Sequence, residues 1–273
     1  QKTAYEMLRS LVGSEMCIRD RIINEKIIKE IVEKIINENS NFSADEVSAA
    51  ALKTVKLLIF EQDLKEKKNN IISAAEHLCS LGYLPGASCN ISARLKNNNL
   101  LITRSGISKC NLSPNDIFEV NPNGHVINGG GGEKPSSEIK MHLLCYEMRE
   151  DVNAVVHAHP PYCTGFAAAR VSIDAPVLPE AVLLLGRVPL VEYGTPSTSE
   201  VSEKLAPHLK NSNAFILANH GALTIGKNID EALQRMEVLE FFARVMFIAR
   251  MLGGEKKLSK EQLDYLFLVH RGK

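Results

Sequence analysis

Two histidines separated by one residue, His157 and His159, are the first candidates for chemistry in this chain of 273 residues. They end an apolar run that includes Val155, and Pro160 and Pro161 follow directly. Strand side chains alternate between faces, so both imidazoles would project from the same face at a strand end. A metal ion is one use of such a pair. Two hydrogen-bonded histidines near a surface are an equally good interpretation of the pair alone.

A third histidine, His220, closes another apolar run, residues 214–219, and is followed by Gly221. Three neutral imidazoles with an open fourth position form a catalytic rather than a structural zinc site. We therefore consider His157, His159 and His220 together as a candidate zinc site.

Two turns of small polar residues could bind an anion such as phosphate. Asn90 lies in a turn that enters a strand, and Ser105 and Gly106 end the next strand. Bent backbone of this composition exposes N–H groups and short donors that suit an anion. An ordinary turn without a ligand is the simpler interpretation of each segment alone.

Ser136, Ser137 and Glu138 form a third polar segment, at the predicted start of a helix. The first N–H groups of a helix lack partners, so the serines could hold phosphate while Glu138 faces the same cavity. Plain capping by either serine is the alternative. We interpret His142, four residues beyond Glu138, mainly as a partly buried structural histidine.

Apolar periodicity and turn residues predict the elements that position these groups. The first polar turn leads into a hairpin, and a second hairpin surrounds residues 122–124. The predicted strands cover 86–94 with its turn, 100–103, 116–120 and 126–127. The predicted helices cover 71–81, 164–170, 200–209 and 229–251, and a further helix opens within 134–142 with Ser136, Ser137 and Glu138 in its first turn.

The chain ahead of these motifs has two parts. Residues 1–21 fit nothing downstream and resemble a peptide that recurs at the ends of unrelated conceptual translations, so we treat them as a non-native segment. Residues 22–69 form a predicted helical extension and linker. Ser43 and Glu46 form a capping box for its second helix, which we expect to end near Phe60 before a charged linker.

The first helix of this extension is strongly amphipathic, with isoleucine or valine every three to four residues. A helical pair packed on the main domain is one interpretation. A short helix tethered ahead of an enzyme domain also resembles the encapsulation peptides that load enzymes into bacterial microcompartments. Residues 22–40 would then bind a shell protein.

Composition excludes several classes of partner. The chain has 32 basic and 32 acidic residues, so its charge favours neither nucleic acid nor an anionic membrane. No apolar run approaches the roughly 20 residues that span a bilayer. The six cysteines are scattered without a CxxC pair, which predicts small buried residues in a reducing, cytoplasmic setting.

Taken in order, five motifs resemble those of the class II aldolase/adducin family, in particular its L-fuculose-phosphate-aldolase-like branch. The resemblance covers roughly residues 70–273, which we take as the aldolase domain. The motifs lie at residues 90–94, 102–107, 134–138, 157–159 and 219–223.

The resemblance implies an α/β fold of three layers, with helices flanking a central, mostly antiparallel sheet. It also implies a homotetramer with zinc at the subunit interface. The implied reaction is reversible cleavage of a ketose 1-phosphate, of the fuculose or rhamnulose type, to dihydroxyacetone phosphate and lactaldehyde or a related aldehyde.

The same resemblance assigns the site residues. Glu138 is the implied acid/base. Three histidines are the implied zinc ligands and five residues the implied phosphate site: His157, His159 and His220, then Asn90, Ser105, Gly106, Ser136 and Ser137.

Three departures from the family pattern bear on specificity. Cys89 stands where the family usually has glycine, and Glu180 lies where fuculose-phosphate aldolases carry a tyrosine. The tyrosine near the family's C-terminus would lie just past Lys273, so we expect a truncated domain.

Three other kinds of protein share the fold and are the alternatives: pentulose-phosphate 4-epimerases, sugar-phosphate dehydratases and non-catalytic adducin-like modules. Epimerases place aspartate at the position of Glu138, and adducin-type heads lack the full histidine set.

Overall fold

A computed structural model describes residues 25–39, 41–128 and 132–270 of the chain. The segment 1–21, which we interpret as non-native, lies outside the described residues. The chain divides into two compact units, Gln1–Glu66 and Lys67–Lys273.

The first unit contains helix α1, Glu25–Glu38, and the first part of helix α2, Ala44–Ser80. The apolar stripe of α1 packs against one face of α2 and forms a small core. The predicted capping box is confirmed, because Oε2 of Glu46 accepts from N and Oγ of Ser43, each at 2.8 Å. The buried core residues are Ile28, Val32 and Ile35 of α1 with Val47, Ala51 and Val55 of α2.

The expected end of the second helix near Phe60 is wrong. Helix α2 continues through the charged stretch 61–70 to Ser80, so this stretch is not a linker and residues 71–81 do not form a separate helix. Glutamate, glutamine, lysine and leucine dominate the stretch, and these are good helix formers. No glycine or proline interrupts it before Gly82, whose φ of 74° ends the helix.

The second unit is built on one sheet of eight strands in the order β4-β3-β2-β1-β5-β8-β7-β6. Every neighbouring pair is antiparallel except β6 with β7. Both predicted hairpins are present. The strands are β1 Asn90–Arg94, β2 Leu100–Thr103, β3 Ile117–Val120, β4 Val126–Asn128, β5 Ala154–Ala158, β6 Leu190–Val191, β7 Ala214–Leu217 and β8 Gly221–Gly226.

Helices cover both faces of this sheet, so the predicted α/β fold with a central, mostly antiparallel sheet is confirmed. Helices α3 and α6 share one core with β2, β3, β7 and β8, whereas α4 and α7 pack against β7 and β8. The remaining helices are α3 Ile139–Met148, α4 Pro161–Ala169, α5 Pro179–Leu184, α6 Glu200–Leu209, α7 Ile229–Met251 and α8 Lys260–His270.

The prediction that the cysteines are small buried residues in a reducing setting is wrong for two of them. Cys79, near the end of α2, forms a disulfide with Cys110 in the short 3-10 turn Lys109–Asn111. A separation of 31 residues carries no pairing signal in the sequence, because the fold alone brings the two together. Cys89 and Cys145 are free and buried as expected, and burial raises the pKa of both thiols to about 12.

None of the helices in the described ranges is both long enough and apolar enough to cross a membrane.

Candidate active site

The three histidines are positioned by the centre of the sheet. His157 lies on β5, opposite Asn90 of β1 on one side and Leu223 of β8 on the other. His159 follows the end of β5, and His220 lies in the tight turn between β7 and β8. The two apolar runs of the sequence therefore form β5 and β7, which pair with opposite edges of β8.

These strands bring the imidazoles together. The ring centroid of His157 lies 4.9 Å from that of His159 and 4.6 Å from that of His220. One nitrogen from each ring lies within 4.8 Å of the others, which allows all three to bind one metal ion. A Cβ on Gly221 would lie 2.5 Å from Cδ2 of His159, so glycine is required beside His220.

Glu138 contacts two of the three rings. Its Oε2 lies 3.3 Å from Nε2 of His157, and its Oε1 lies 3.1 Å from Nε2 of His220. Nε2 of His159 lies 3.1 Å from Nε2 of His157. Ligand atoms at tetrahedral positions around zinc lie about 3.3 Å apart, given bonds of roughly 2.0–2.1 Å. The three imidazoles are the ligand type that zinc prefers, and His157 and His159 already lie near this ligand separation, so the residues fit a zinc ion.

Hydrogen bonding and burial prepare the histidines as ligands. Nδ1 of His157 donates to the carbonyl of Ala222 at 2.9 Å, which leaves the lone pair on Nε2. Burial lowers the pKa of His157 to about 3, and burial followed by the charge of His220 lowers the pKa of His159. Both rings are therefore neutral at pH 7, the form that binds a metal.

Glu138 is ionised in this setting. Burial alone would raise the pKa of its carboxyl, but His157, His220 and a hydrogen bond from Asn90 hold it well below its ordinary value. A partly buried carboxylate beside three imidazoles can accept a proton once a metal takes over those nitrogens.

The phosphate-site candidates surround the same cavity, which has a volume of about 210 Å³. Two backbone hydrogen bonds join their turns, from Ser105 N to Lys134 O and from Ser136 N to Thr103 O, each at 3.0 Å. His157 is completely buried beside the cavity. The other eight predicted residues line it: Asn90, Ser105, Gly106, Ser136, Ser137, Glu138, His159 and His220.

A buried chain of hydrogen bonds leads to Glu138. Nδ2 of Asn90 donates to Oε2 of Glu138 at 2.7 Å, and Nε2 of His142 donates to Oδ1 of Asn90. Nδ1 of His142 must then accept from Oγ of Ser92 at 2.6 Å, and the hydroxyl of Tyr146 donates to Ser92 at 2.7 Å. The interpretation of His142 as mainly structural missed this contact with the site.

Two further residues of the cavity wall have no role in the sequence-based predictions. Ser197 donates from Oγ to Oγ of Ser137 at 2.8 Å, although its segment only predicted a helix cap. Lys109 is 1% exposed and lines the cavity. A lone lysine after a Ser-Gly turn gave no signal of burial.

The departures from the family pattern have different structural outcomes. Cys89 has a φ of 79°, a conformation that glycine adopts most readily. The backbone at this position therefore keeps the conformation suited to glycine although the residue is cysteine. Glu180 is exposed on α5 and does not line the cavity.

Comparison with known proteins agrees with the resemblance of the five motifs to the class II aldolase/adducin family. Residues 69–247 match the profile of the Class II Aldolase and Adducin N-terminal domain. The chain is 35% identical to L-fuculose phosphate aldolase of Methanococcus maripaludis strain C5 over 186 residues, covering 68% of this chain and 98% of that protein.

A second relative carries a different name. Over 192 residues the chain is 34% identical to 3-oxo-tetronate 4-phosphate decarboxylase of Escherichia coli strain K12, covering 69% of this chain and 88% of that protein. A solved structure of L-fuculose 1-phosphate aldolase superposes with a TM-score of 0.69 at 28% identity, covering 76% of this chain and 96% of that one.

Proposed function

The chain belongs to the class II aldolase and adducin family, and on this premise we propose that it is a zinc-dependent aldolase. The substrate is a ketose 1-phosphate of the fuculose or rhamnulose type. The products of cleavage are dihydroxyacetone phosphate and lactaldehyde or a related aldehyde.

One observation carries the proposal. Nitrogens of His157, His159 and His220 converge within 4.8 Å beside the carboxylate of Glu138. The same cavity contains the serines and amide suited to a phosphate. A metal site and an anion site in one small cavity suit a substrate that carries both a carbonyl and a phosphate.

The histidines would hold zinc, which supplies Lewis-acid stabilisation of negative charge on the substrate oxygens. The phosphate would bind to five residues and thereby fix the substrate chain relative to the histidines. These residues are Asn90, Ser105, Gly106, Ser136 and Ser137.

Glu138 would manage the proton at the reacting carbon. When the C3–C4 bond breaks, its electron pair stays on C3, and the C4 hydroxyl loses its proton to become the aldehyde. A proton must then reach C3 to give dihydroxyacetone phosphate. Glu138 is the only carboxylate among the described residues that line the cavity, so it is the candidate acid/base.

The proposal is tested by incubating the protein with fuculose 1-phosphate and rhamnulose 1-phosphate and measuring dihydroxyacetone phosphate. Zinc content of the same preparation separates the enzyme from an adducin-like binding module, which would hold no metal although the three histidines are intact. An epimer formed without cleavage would favour a pentulose-phosphate 4-epimerase, and loss of water a dehydratase.

Decarboxylation is a second candidate, because a relative of equal similarity is named as a 3-oxo-tetronate 4-phosphate decarboxylase. When such an acid loses CO2, the electron pair of the broken C–C bond stays on the carbon next to the carbonyl, as it does in aldol cleavage. Protonation of that carbon again gives dihydroxyacetone phosphate. The co-product distinguishes the two reactions, since one releases an aldehyde and the other CO2.

We also propose a homotetramer with active sites at subunit interfaces. Exposed apolar side chains near the C-terminus support association, and α8 has no buried residue. Met251 is 73% exposed, Leu252 82% and Leu268 66%. Light scattering should give a mass of about 120 kDa, four times the 30.1 kDa of one chain.

Residues 22–40 are the proposed docking peptide for a microcompartment shell protein, which would place the enzyme inside a cytoplasmic microcompartment. Ile36 of α1 is 47% exposed and available to a partner. Ile28 and Val32 pack against α2, as the alternative interpretation of a helical pair expects. Deletion of residues 22–40 should keep activity and abolish co-purification with shell proteins, whereas unchanged co-purification would exclude docking.

A further inference from the structure

Lys109 is a lysine whose side chain is almost fully buried in the wall of the active-site cavity. Its Nζ donates to the carbonyl of Ile107 at 2.7 Å and to that of Ala87 at 3.3 Å. The first carbonyl follows Gly106, and the second lies in the turn that leads to Asn90. One ammonium group therefore joins two turns of the candidate phosphate site.

The donors of this ammonium are not all used. An ammonium group has three N–H donors, and the two carbonyls take two of them. Among the described residues no carboxylate forms a salt bridge with Lys109. Burial lowers its pKa, and the nearby charge of Asp116 offsets this effect only in part, so the buried ammonium still lacks a fully compensating anion. Buried charges are generally paired, and the cavity is where a partner can enter.

The other phosphate-site candidates are neutral donors. Asn90, Ser105 and Ser136 offer an amide and hydroxyls, and Glu138 adds negative charge to the same cavity. A phosphate monoester carries a charge of about −1.5 to −2 at pH 7. Neutral donors alone would bind it beside that carboxylate without any compensating cation from the chain. Among the described residues of the cavity wall, Lys109 alone is a lysine or arginine.

We infer that Lys109 binds the dianionic phosphate of the substrate directly and thereby selects phosphorylated over unphosphorylated sugars. The inference rests on the proposed function, which it deepens by naming the cation of the phosphate site. Hydrogen bonds to a charged donor are about twice as strong as neutral ones. The two carbonyls hold the ammonium in place before the phosphate arrives, so little side-chain entropy is lost on binding.

Calorimetric titration of the whole 273-residue chain with inorganic phosphate tests this inference. Lys109→Met should weaken phosphate binding about 10- to 100-fold, the loss of one charge-assisted hydrogen bond. Lys68→Met is the matched control, because Nζ of Lys68 also donates to a carbonyl, that of Pro114 at 2.8 Å, but does not line the cavity. Equal affinity in wild type and a folded Lys109→Met variant would overturn the inference.

Because Lys109 also joins two turns, the variant could unfold. Lys109→Gln keeps a donor for one carbonyl without the charge and serves as the second variant. In the wild type, the NMR signal of the Lys109 ε-methylene should shift when phosphate is added while that of Lys68 stays constant. An unshifted Lys109 signal at saturating phosphate would contradict direct binding.

The same variants separate the inference from the proposed function. Phosphate binding that depends on Lys109, in a protein that cleaves no ketose 1-phosphate, supports the inference and excludes the aldolase proposal. Cleavage with an unchanged KM in Lys109→Met excludes the inference and keeps the aldolase proposal.

Discussion

The side-chain amide of Asn90 donates from Nδ2 to Oε2 of Glu138 at 2.7 Å, so a candidate phosphate ligand also contacts the candidate acid/base. His142 fixes this amide by donating to its Oδ1. The orientation of Glu138 toward the histidines thus depends, through Asn90, on His142, which does not line the cavity.

Replacement of Glu138 by glutamine should lower kcat about 100- to 10,000-fold, the usual contribution of a general acid/base. The amide cannot exchange a proton with the reacting carbon. Glu147→Gln, on the exposed side of the same helix, is the matched control and should keep wild-type kcat. Near wild-type turnover in Glu138→Gln would assign the proton transfer to another group.

His142→Gln should lower kcat about 10- to 100-fold with a smaller change in zinc content, because loss of an outer partner misplaces Asn90 and Glu138. Replacing exposed His125 by glutamine is the control. A purely structural His142 would lower stability alone, so steady-state kinetics of the folded variant at low temperature checks the prediction. Wild-type kcat there would show that the hydrogen-bond chain does not position the site.

Removal of metal with a chelator should abolish activity, and zinc should restore it. Zinc binds only the folded site, so its addition should also raise Tm. His159→Ala should lose both effects, whereas His125→Ala should keep them. Full activity in protein shown by elemental analysis to contain no metal would refute the metal-site assignment.

The metal-free protein should lose stability as pH falls below about 6.5. Burial lowers the pKa of His142 to about 4 and of His157 to about 3, so the folded state binds fewer protons than the unfolded state. Stability then rises with pH, by up to about 1.4 kcal/mol per pH unit for each histidine, and is complete above the unfolded pKa. Urea unfolding between pH 4 and 8 checks this, and a flat profile would contradict it.

The Cys79–Cys110 disulfide should stabilise the chain under oxidising conditions. It closes a loop of 31 residues, so the double serine variant should unfold with a free energy about 2–4 kcal/mol lower. With reductant present, the two proteins should unfold alike. An equal difference with and without reductant would mean that the thiols stabilise by packing.

Local pattern predicted those parts of the fold that depend on neighbouring residues. Alternation and turn residues predicted both hairpins, a hydroxyl cap predicted α6, and the period of apolar residues predicted α7. Continuity of α2 was missed because a charged stretch is equally suited to a linker and an exposed helix face. The pairing of Cys79 with Cys110 depends on tertiary packing, which no local pattern reports.

The candidate site shows the same limit. His157 and His159 could be grouped because strand alternation places residues two apart on one face, and Glu138 because it lies at a predicted helix start. The contact of His142 with Asn90 requires the register of β1 against β5 and the placement of α3, neither of which is encoded locally. Burial of Lys109 likewise depends on how two turns meet.

The most direct test of the aldolase proposal is a retro-aldol assay with fuculose, rhamnulose and ribulose phosphates. Dihydroxyacetone phosphate and the aldehyde are quantified together, with Glu138→Gln as the inactive control. The proposal predicts equal amounts of both products from at least one ketose 1-phosphate. Epimer formation without cleavage, or cleavage of none of these sugars with CO2 released from a 3-oxo-tetronate 4-phosphate, would contradict it.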